Sequence, residues 1–369
     1  MLSGSKRNYI LMNKDEPILE FYCRRNEFDE PEFFETRWLV NYRPIGYSSI
    51  SSFLERRKAP KHRRHIQQIL EQYGCDDLEG FLQATYALSL NDTFWVRETG
   101  SSLAWRDVSL YTNEFSKIIS EAAFDGIASK TDLSSTSPEF GTDGYYAKCW
   151  VREKKGIFLY KGGSSYYEIE PLSEYLASQL AAEICPKAVC YDMDYYHNKL
   201  ISKCPLFTSE TVGLAKAGTI FYGKELTIPQ LLEYFSGIGS EDDFRRMCVL
   251  DAVILNPDRH YGNFGVLFDT ATMDVLEMSP VFDHNRSLFP ELDNEQLSKP
   301  EWYLKQCRPR LGKDFLLTAR GLLTEPIRRD LERLKDFAFQ QHPSIHTEQE
   351  RLDSLNRIVQ KQVLQILDV

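Results

Sequence analysis

Apolar and polar positions alternate at the start of the chain. Residues 9–14 and 17–22 (Tyr-Ile-Leu-Met-Asn-Lys and Pro-Ile-Leu-Glu-Phe-Tyr) predict a hairpin turning at Asp15-Glu16. The period then lengthens. Residues 50–57, 64–73 and 77–86 place apolar side chains three and four apart, among them Ile66, Ile69, Leu70, Leu78, Phe81 and Leu82, and predict helices. Asn91-Asp92 marks a turn before Phe94-Trp95-Val96, and Thr112-Asn113 predicts the cap of a short helix reaching Phe124.

Beyond a small, polar, turn-rich stretch at 132–138, strands are expected at 145–152 and 156–161, joined by Glu153-Lys154-Lys155. Gly162-Gly163-Ser164-Ser165 breaks the pattern. Residues 171–184 then carry Leu172, Leu176, Leu180 and Ile184 on one helical face, and β-type residues return at 188–192 and 199–202. From Ile228 the chain reads as mostly helical, including 240–255, 325–339 and an amphipathic 348–367. A strand-rich segment followed by a helix-rich one predicts an α+β fold with the bilobal plan of a protein kinase, preceded by a mostly helical N-terminal region. The expected divisions are 1–120, 121–205 as the nucleotide-binding lobe, and 206–369 as the helical catalytic lobe.

Composition narrows the class. With 42% hydrophobic and 27% charged residues over 369 positions, the chain has the balance of a globular protein with room for two or three cores. No run approaches the roughly 18 apolar residues of a membrane span, and the polar N-terminus lacks a signal-like core, so a cytoplasmic protein without membrane contact is expected. Eight cysteines without a CxxC pair read as reduced, mostly buried thiols. A net charge of −10 argues against a general attraction to nucleic acid or anionic lipid. The exception is 56–65, where six cations and two histidines read either as the solvated start of a helix or as a phosphate-contacting patch.

The chemistry concentrates in Asn256-Pro257-Asp258-Arg259-His260-Tyr261-Gly262-Asn263-Phe264-Gly265, followed by Pro280-Val281-Phe282-Asp283-His284-Asn285. Transfer of a phosphoryl group from ATP needs a carboxylate facing the attacking hydroxyl and hard oxygen ligands for Mg²⁺. Asp258 fits the first need, Asn263 and Asp283 the second, with Asp283 expected at a strand end. Three further requirements lie upstream. Gly141-Thr142-Asp143-Gly144 is the candidate phosphate-covering loop through Gly141 and Gly144, although glycines between strands also make ordinary hairpins. Lys161 ends an apolar strand and is the candidate phosphate lysine, with Lys148 as rival. Glu174 is the candidate helix acid to orient it, with Glu170 as fallback. His260 reads as a strut of its loop, and Arg259 as the partner of a nearby carboxylate or phosphate.

The order Phe-Leu-Tyr-Lys-Gly-Gly, Ser173-Glu174-Tyr175-Leu176, Asn-Pro-Asp-Arg-His-Tyr-Gly-Asn-Phe-Gly and Pro-Val-Phe-Asp resembles the HipA-like serine/threonine kinases of bacteria, a group related to the phosphoinositide kinases. The resemblance covers about 130 to 330 and is specific from Asn256 to Asp283. It implies ATP and Mg²⁺ as cofactors, Lys161 on the phosphates, Asp258 as catalytic aspartate, and Asn263 and Asp283 as metal ligands. It also implies a protein acceptor with a Ser or Thr hydroxyl, an antitoxin partner, and autophosphorylation near the covering loop, where Ser134, Ser135, Thr136 and Ser137 lie. Residues 1–120 do not resemble the N-terminal subdomain of the family's toxins, and His-Asn follows Asp283 where conventional protein kinases have Phe-Gly. Two alternatives stay open: a lipid or small-metabolite acceptor, and a catalytically silent kinase-like module that binds a protein or nucleic acid.

Overall fold

The computed structural model describes residues 6–58, 77–116, 124, 137–138, 147–164 and 168–368. The chain forms two compact units. One comprises Met1–Tyr160, Thr208–Ala215 and Leu267–Val275, the other Lys161–Phe207, Lys216–Val266 and Leu276–Val369. The chain therefore first changes unit inside a strand, between Tyr160 and Lys161. The divisions at 120 and 205 remain an expectation about which segments carry function.

The first unit is built on an antiparallel sheet. Strands β1 (Arg7–Asn13) and β2 (Glu16–Arg25) form the expected hairpin, with Leu11 opposite Leu19. The turn falls at Lys14-Asp15, one position earlier than expected, with Lys14 at φ +50°. Strand β3 (Pro31–Trp38) extends the sheet beyond β2. Helix α1 (Ile50–Glu55) is capped by Ser49, and α2 (Leu78–Thr85) by the Asp77 carboxylate, which accepts the Gly80 N–H. Strand β4 (Phe94–Glu98) then pairs with β1, giving the order β3-β2-β1-β4. Tyr9, Phe21 and Phe33 line one buried face of this sheet, while α1 and α2 bury Ile50, Phe53, Leu54, Phe81 and Leu82.

Among the described residues the region before 120 is thus not mostly helical. Four strands outweigh α1, α2 and the single turn α3 (Trp105–Val108). Strand β3 was hidden by its own irregularity. Phe33 faces the core and Phe34 does not, and β2 opposite carries a register shift at Glu20/Phe21, so no clean period of two survives in the sequence. Of the helix expected from Thr112-Asn113 to Phe124, residues 117–123 lie outside the described residues, 114–116 are not helical and Phe124 is. Asn113 instead donates back to the carbonyls of Arg106 and Ser109.

Only part of the basic stretch 56–65 lies within the described residues. There Arg57 is buried and grips Asp92 with two hydrogen bonds of 2.8 Å, also donating to the carbonyls of Ala87 and Phe94. Arg56 donates to the Ser52 hydroxyl and the Gly46 carbonyl. These two cations tie the N-terminal unit together. Strands β5 (Lys148–Glu153) and β6 (Gly156–Gly162) follow as the expected hairpin, entered at Gly156 with φ +140°, a conformation open to glycine.

In the second unit, helix α4 (Glu170–Ile184) buries Leu172, Leu176, Leu180 and Ile184 as its spacing requires. Strands β7 (Asp192–Tyr196) and β8 (Lys199–Pro205) pair as a hairpin. The strand expected at 188–192 starts late, because Ala188 makes an isolated parallel bridge to Val281 instead. Along the chain then come β9 (Val212–Lys216), which belongs to the first unit up to Ala215, α5 (Ala217–Ile220), α6 (Ile228–Gly237), α7 (Glu241–Val253), β10 (Gly265–Asp269), which passes into the first unit after Val266, and β11 (Val275–Met278), which returns to the second after Val275; the three strands are ordered β11-β10-β9. Helices α8 (Asn294–Ser298), α9 (Glu301–Gln306), α10 (Phe315–Leu322), α11 (Glu325–Arg333) and α12 (Gln349–Leu367) complete the unit. Helix α7 is its axis. It buries Phe244, Met247, Val249 and Leu250 and packs against α4, α6, α10 and α12. Among the described residues no helix is long and apolar enough to cross a membrane, and the seven described cysteines are free thiols, five of them buried.

Candidate active site

The site is built at the end of α7. Leu255 takes φ +53°, a left-handed conformation that stops the helix and turns the chain. Asn256 then works in two directions. Its amide donates to Asp251 Oδ1 at 3.0 Å, and its carbonyl oxygen accepts the Asp258 N–H at 3.0 Å. Asp251 lies on α7 between Leu250 and Ala252, so the loop is fastened to a helix that cannot shift without disturbing the core.

Arg259 is the main fastening and is 1% exposed. Its guanidinium meets Asp251 through Nε and Nη2, each at 3.0 Å from one oxygen, and Nη1 donates to the carbonyls of Asn263 at 2.8 Å and Phe282 at 2.5 Å. Nη2 also lies 3.3 Å from His284 Nδ1. One side chain thereby holds the loop that carries Asp258 and Asn263 against the segment that carries Asp283. The sequence suggested a carboxylate partner for Arg259; the carbonyls and His284 were not legible there. Burial pushes the His284 imidazole well below its ordinary value, and the Arg259 charge adds to this, so His284 is neutral and accepts from the guanidinium.

Asn263 donates its amide to the Asp258 carbonyl at 3.1 Å, which leaves its side-chain oxygen as an acceptor. His260 Nδ1 accepts the Gly262 N–H at 2.9 Å, a contact that braces the loop. A side chain on Gly262 would run into that ring, with a Cβ 2.7 Å from His260 Cε1. Asp283 follows Val281, whose only pairing among the described residues is the bridge to Ala188, so it does not sit at the end of a strand as expected. It stands at φ +64°, in the left-handed region that aspartate tolerates better than most residues, and its N–H donates to the Tyr191 hydroxyl at 3.0 Å.

Lys161 joins this segment to α4. Its ammonium lies 2.5 Å from Glu174 Oε1 and 2.7 Å from Asp283 Oδ1. Burial alone would push the ammonium down, but Asp283 and Glu174 outweigh it and hold the charge above its ordinary value. Glu174 is fully buried and satisfied. Ser202 on β8 donates to its second oxygen at 2.6 Å, and the His284 N–H to its first at 3.2 Å. Glu170, the fallback acid, instead accepts the Ser164 N–H at 3.0 Å. Lys148, the rival lysine, is buried on β5.

Of the seven residues expected at the site, the structure thus joins Lys161, Glu174 and Asp283 directly, and ties Asp258 and Asn263 to them through Arg259. Gly141 and Gly144 lie outside the described residues, as do Ser134, Ser135 and Thr136; Ser137 is described and buried. Five contributors were not anticipated: Asp251, Tyr191, Ser202, His284 and Arg310. Asp251 left a faint signal, an acid inside the apolar run Cys248-Val249-Leu250 and Ala252-Val253. Arg310 left none. It reaches Asp258 Oδ1 at 2.7 Å from a loop more than fifty residues downstream.

No protein-family model matches the chain, and no curated protein matches it. Among solved structures it is similar to a protein of a toxin–antitoxin system. That neighbour is HipA of Shewanella oneidensis MR-1, solved with HipB and its operator DNA, at 10% identity and a TM-score of 0.52, covering 98% of this chain and 99% of that one. The chain is also similar to the proinflammatory kinase CtkA of Helicobacter pylori, at 16% identity and a TM-score of 0.46, covering 60% of this chain and 92% of the other. The HipA-like kinase fold expected from the sequence is the fold of this chain.

Proposed function

We propose that the chain is an ATP- and Mg²⁺-dependent kinase of the HipA-like type that transfers the γ-phosphate of ATP to a serine or threonine hydroxyl. The observation that carries this is Lys161, charged and clamped between Glu174 and Asp283. A buried lysine held by a helix acid beside an aspartate has no use in the core that an apolar residue would not serve better, yet it is what the phosphates of a nucleotide require. Catalysis in such a site is positioning and electrostatics. Asp258 accepts a hydrogen bond from the acceptor hydroxyl; the hydroxyl oxygen bonds to the γ-phosphorus as the bond to the bridging oxygen of ADP breaks, and the proton passes to the Asp258 carboxylate. The donor set fits Mg²⁺, since Asn263 keeps a free carbonyl oxygen and Asp283 a carboxylate, the one or two hard protein ligands this ion takes alongside phosphates. Bound there, the ion would neutralise charge developing on the phosphates.

The complex in which HipA was solved supports an antitoxin-type protein partner for this chain. Direct nucleic-acid contact through 56–65 has less support, because Arg56 and Arg57 are engaged within their own unit. Autophosphorylation is placed on the stretch 134–137, of which Ser137 would have to leave its buried position to react.

The test is incubation of the full chain with Mg²⁺ and γ-labelled ATP beside Asp258→Ala. Label on wild-type protein and none on the variant is the expected result, with mass spectrometry locating it. Neither label nor free phosphate from the wild type, together with no rise in melting temperature on adding ATP, would overturn the proposal.

A further inference from the structure

Arg310 stands where the acceptor should. Its Nη1 donates to Asp258 Oδ1 at 2.7 Å, yet the pair is open to water, the two side chains being 60% and 38% exposed. The loop that presents it is firmly seated. Pro309 and Leu311, on either side of Arg310, line a small cavity behind the catalytic loop together with Cys248, Asp251, Asn256 and Arg259. Gly312 takes φ +86°, and a Cβ there would come within 2.6 Å of Thr318 Oγ1. Asp314 closes the loop by capping α10 through the Leu317 N–H. Arg310 is therefore held out beside Asp258 by its neighbours on both sides.

Between Glu301 and Asp314 the segment itself carries charge of one sign. Lys305, Arg308, Arg310 and Lys313 are all exposed, no acid interrupts 302–313, and the other three cations form no ion pair among the described residues. This stands out in a chain of net charge −10. A guanidinium has five N–H donors, so one bond to Asp258 leaves others for a second anion. A half-exposed ion pair also rearranges at little cost.

We propose that Arg310 is a specificity-determining residue that selects an acidic acceptor, a peptide with an anionic group one or two residues from its Ser or Thr, and that Lys305, Arg308 and Lys313 extend the same basic surface. This rests on the kinase function proposed above and names its substrate class. The guanidinium bridges Asp258 and the acceptor's anion, setting the hydroxyl beside the carboxylate that takes its proton.

The experiment measures binding of fluorescent serine peptides to the full chain in ATP and Mg²⁺ by anisotropy, with label transfer from γ-labelled ATP read in parallel. One peptide carries Glu on both sides of the serine, a second Gln, a third phosphoserine in place of one Glu. The wild type should bind the Glu peptide about five to ten times more tightly than the Gln peptide, the scale of one or two partly exposed charge pairs. Arg310→Ala should abolish the difference, and Arg310→Glu should transfer the preference to a Lys-flanked peptide. Tighter binding of the phosphoserine peptide would name phosphate as the preferred anion; tighter binding of the Glu peptide would name carboxylate. Equal binding of Glu and Gln peptides by the wild type overturns the proposal, as does an equal loss on both in Arg310→Ala, which would place Arg310 on the ATP phosphates instead. Charge-dependent binding without any label transfer overturns the kinase function and leaves the acidic-peptide surface standing.

Discussion

Two arginine–aspartate pairs flank the candidate catalytic loop and share little beyond their chemistry. Arg259 and Asp251, on the inner side, are 1% and 7% exposed; Arg310 and Asp258, on the outer side, are 60% and 38% exposed. Burying a guanidinium and a carboxylate costs several kcal/mol per ion unless further polar partners satisfy them. The inner pair has those partners in Asn256 and the carbonyls of Asn263 and Phe282, and through them it sets where the chain must run. The outer pair has water. Its guanidinium has donors to spare for a second anion, whereas the donors of the inner pair are spent on buried partners. The same loop thus has a rigid, buried ion pair on one side and a loose, water-exposed one on the other.

The contrast can be broken at either end. The largest effect is expected from Arg259→Ala, which leaves Asp251 buried without a compensating charge and frees two carbonyls. A loss of about 3–5 kcal/mol in urea denaturation is expected. A cost below about 1 kcal/mol would show that the inner pair is not the fastening described here. Asp258→Ala, on the same loop, should behave oppositely. Phosphoryl transfer should fall at least ~10²-fold, roughly 2.7 kcal/mol in barrier, while the denaturation midpoint stays close to the wild type. A matching loss of stability would mean that Asp258 holds the loop as Arg259 does.

A smaller effect sharpens the inner side. His284 is kept neutral in the folded protein, burial placing its imidazole well below the ordinary 6.5. As pH falls through that value the unfolded chain takes up a proton and the folded chain does not. The stability His284 contributes is therefore present above it and lost below. Stability should drop between about pH 7 and about pH 5, and His284→Asn should lessen the drop. An unchanged pH profile in that variant would remove His284 from the clamp. The smallest effect belongs to the outer pair. Arg310→Ala should change stability by less than about 1 kcal/mol, as expected of an exposed ion pair, and a larger change would contradict its freedom to exchange.

The sequence by itself determined the elements with a clean period and the residues whose chemistry is local in the chain. The first hairpin, α2, α4, α7 and α12 follow from apolar spacing of two or three-to-four, because that spacing alone decides which face can be buried. Asp258, Asn263 and Asp283 stand out as candidates through their order, and Lys161 and Glu174 through strand end and helix start. Only the tertiary structure decided the rest. Strand β3 escaped notice because a register shift removes its alternation, and the basic stretch at 56–58 proved partly internal once Asp92 met Arg57. Lys161 found its partners 13 and 122 positions away, and Arg310 reached Asp258 across 52. Ion pairs of that separation leave no period in a sequence, because packing brings them together and chain spacing does not. The fold therefore chose which charges became buried and fixed and which stayed open to water.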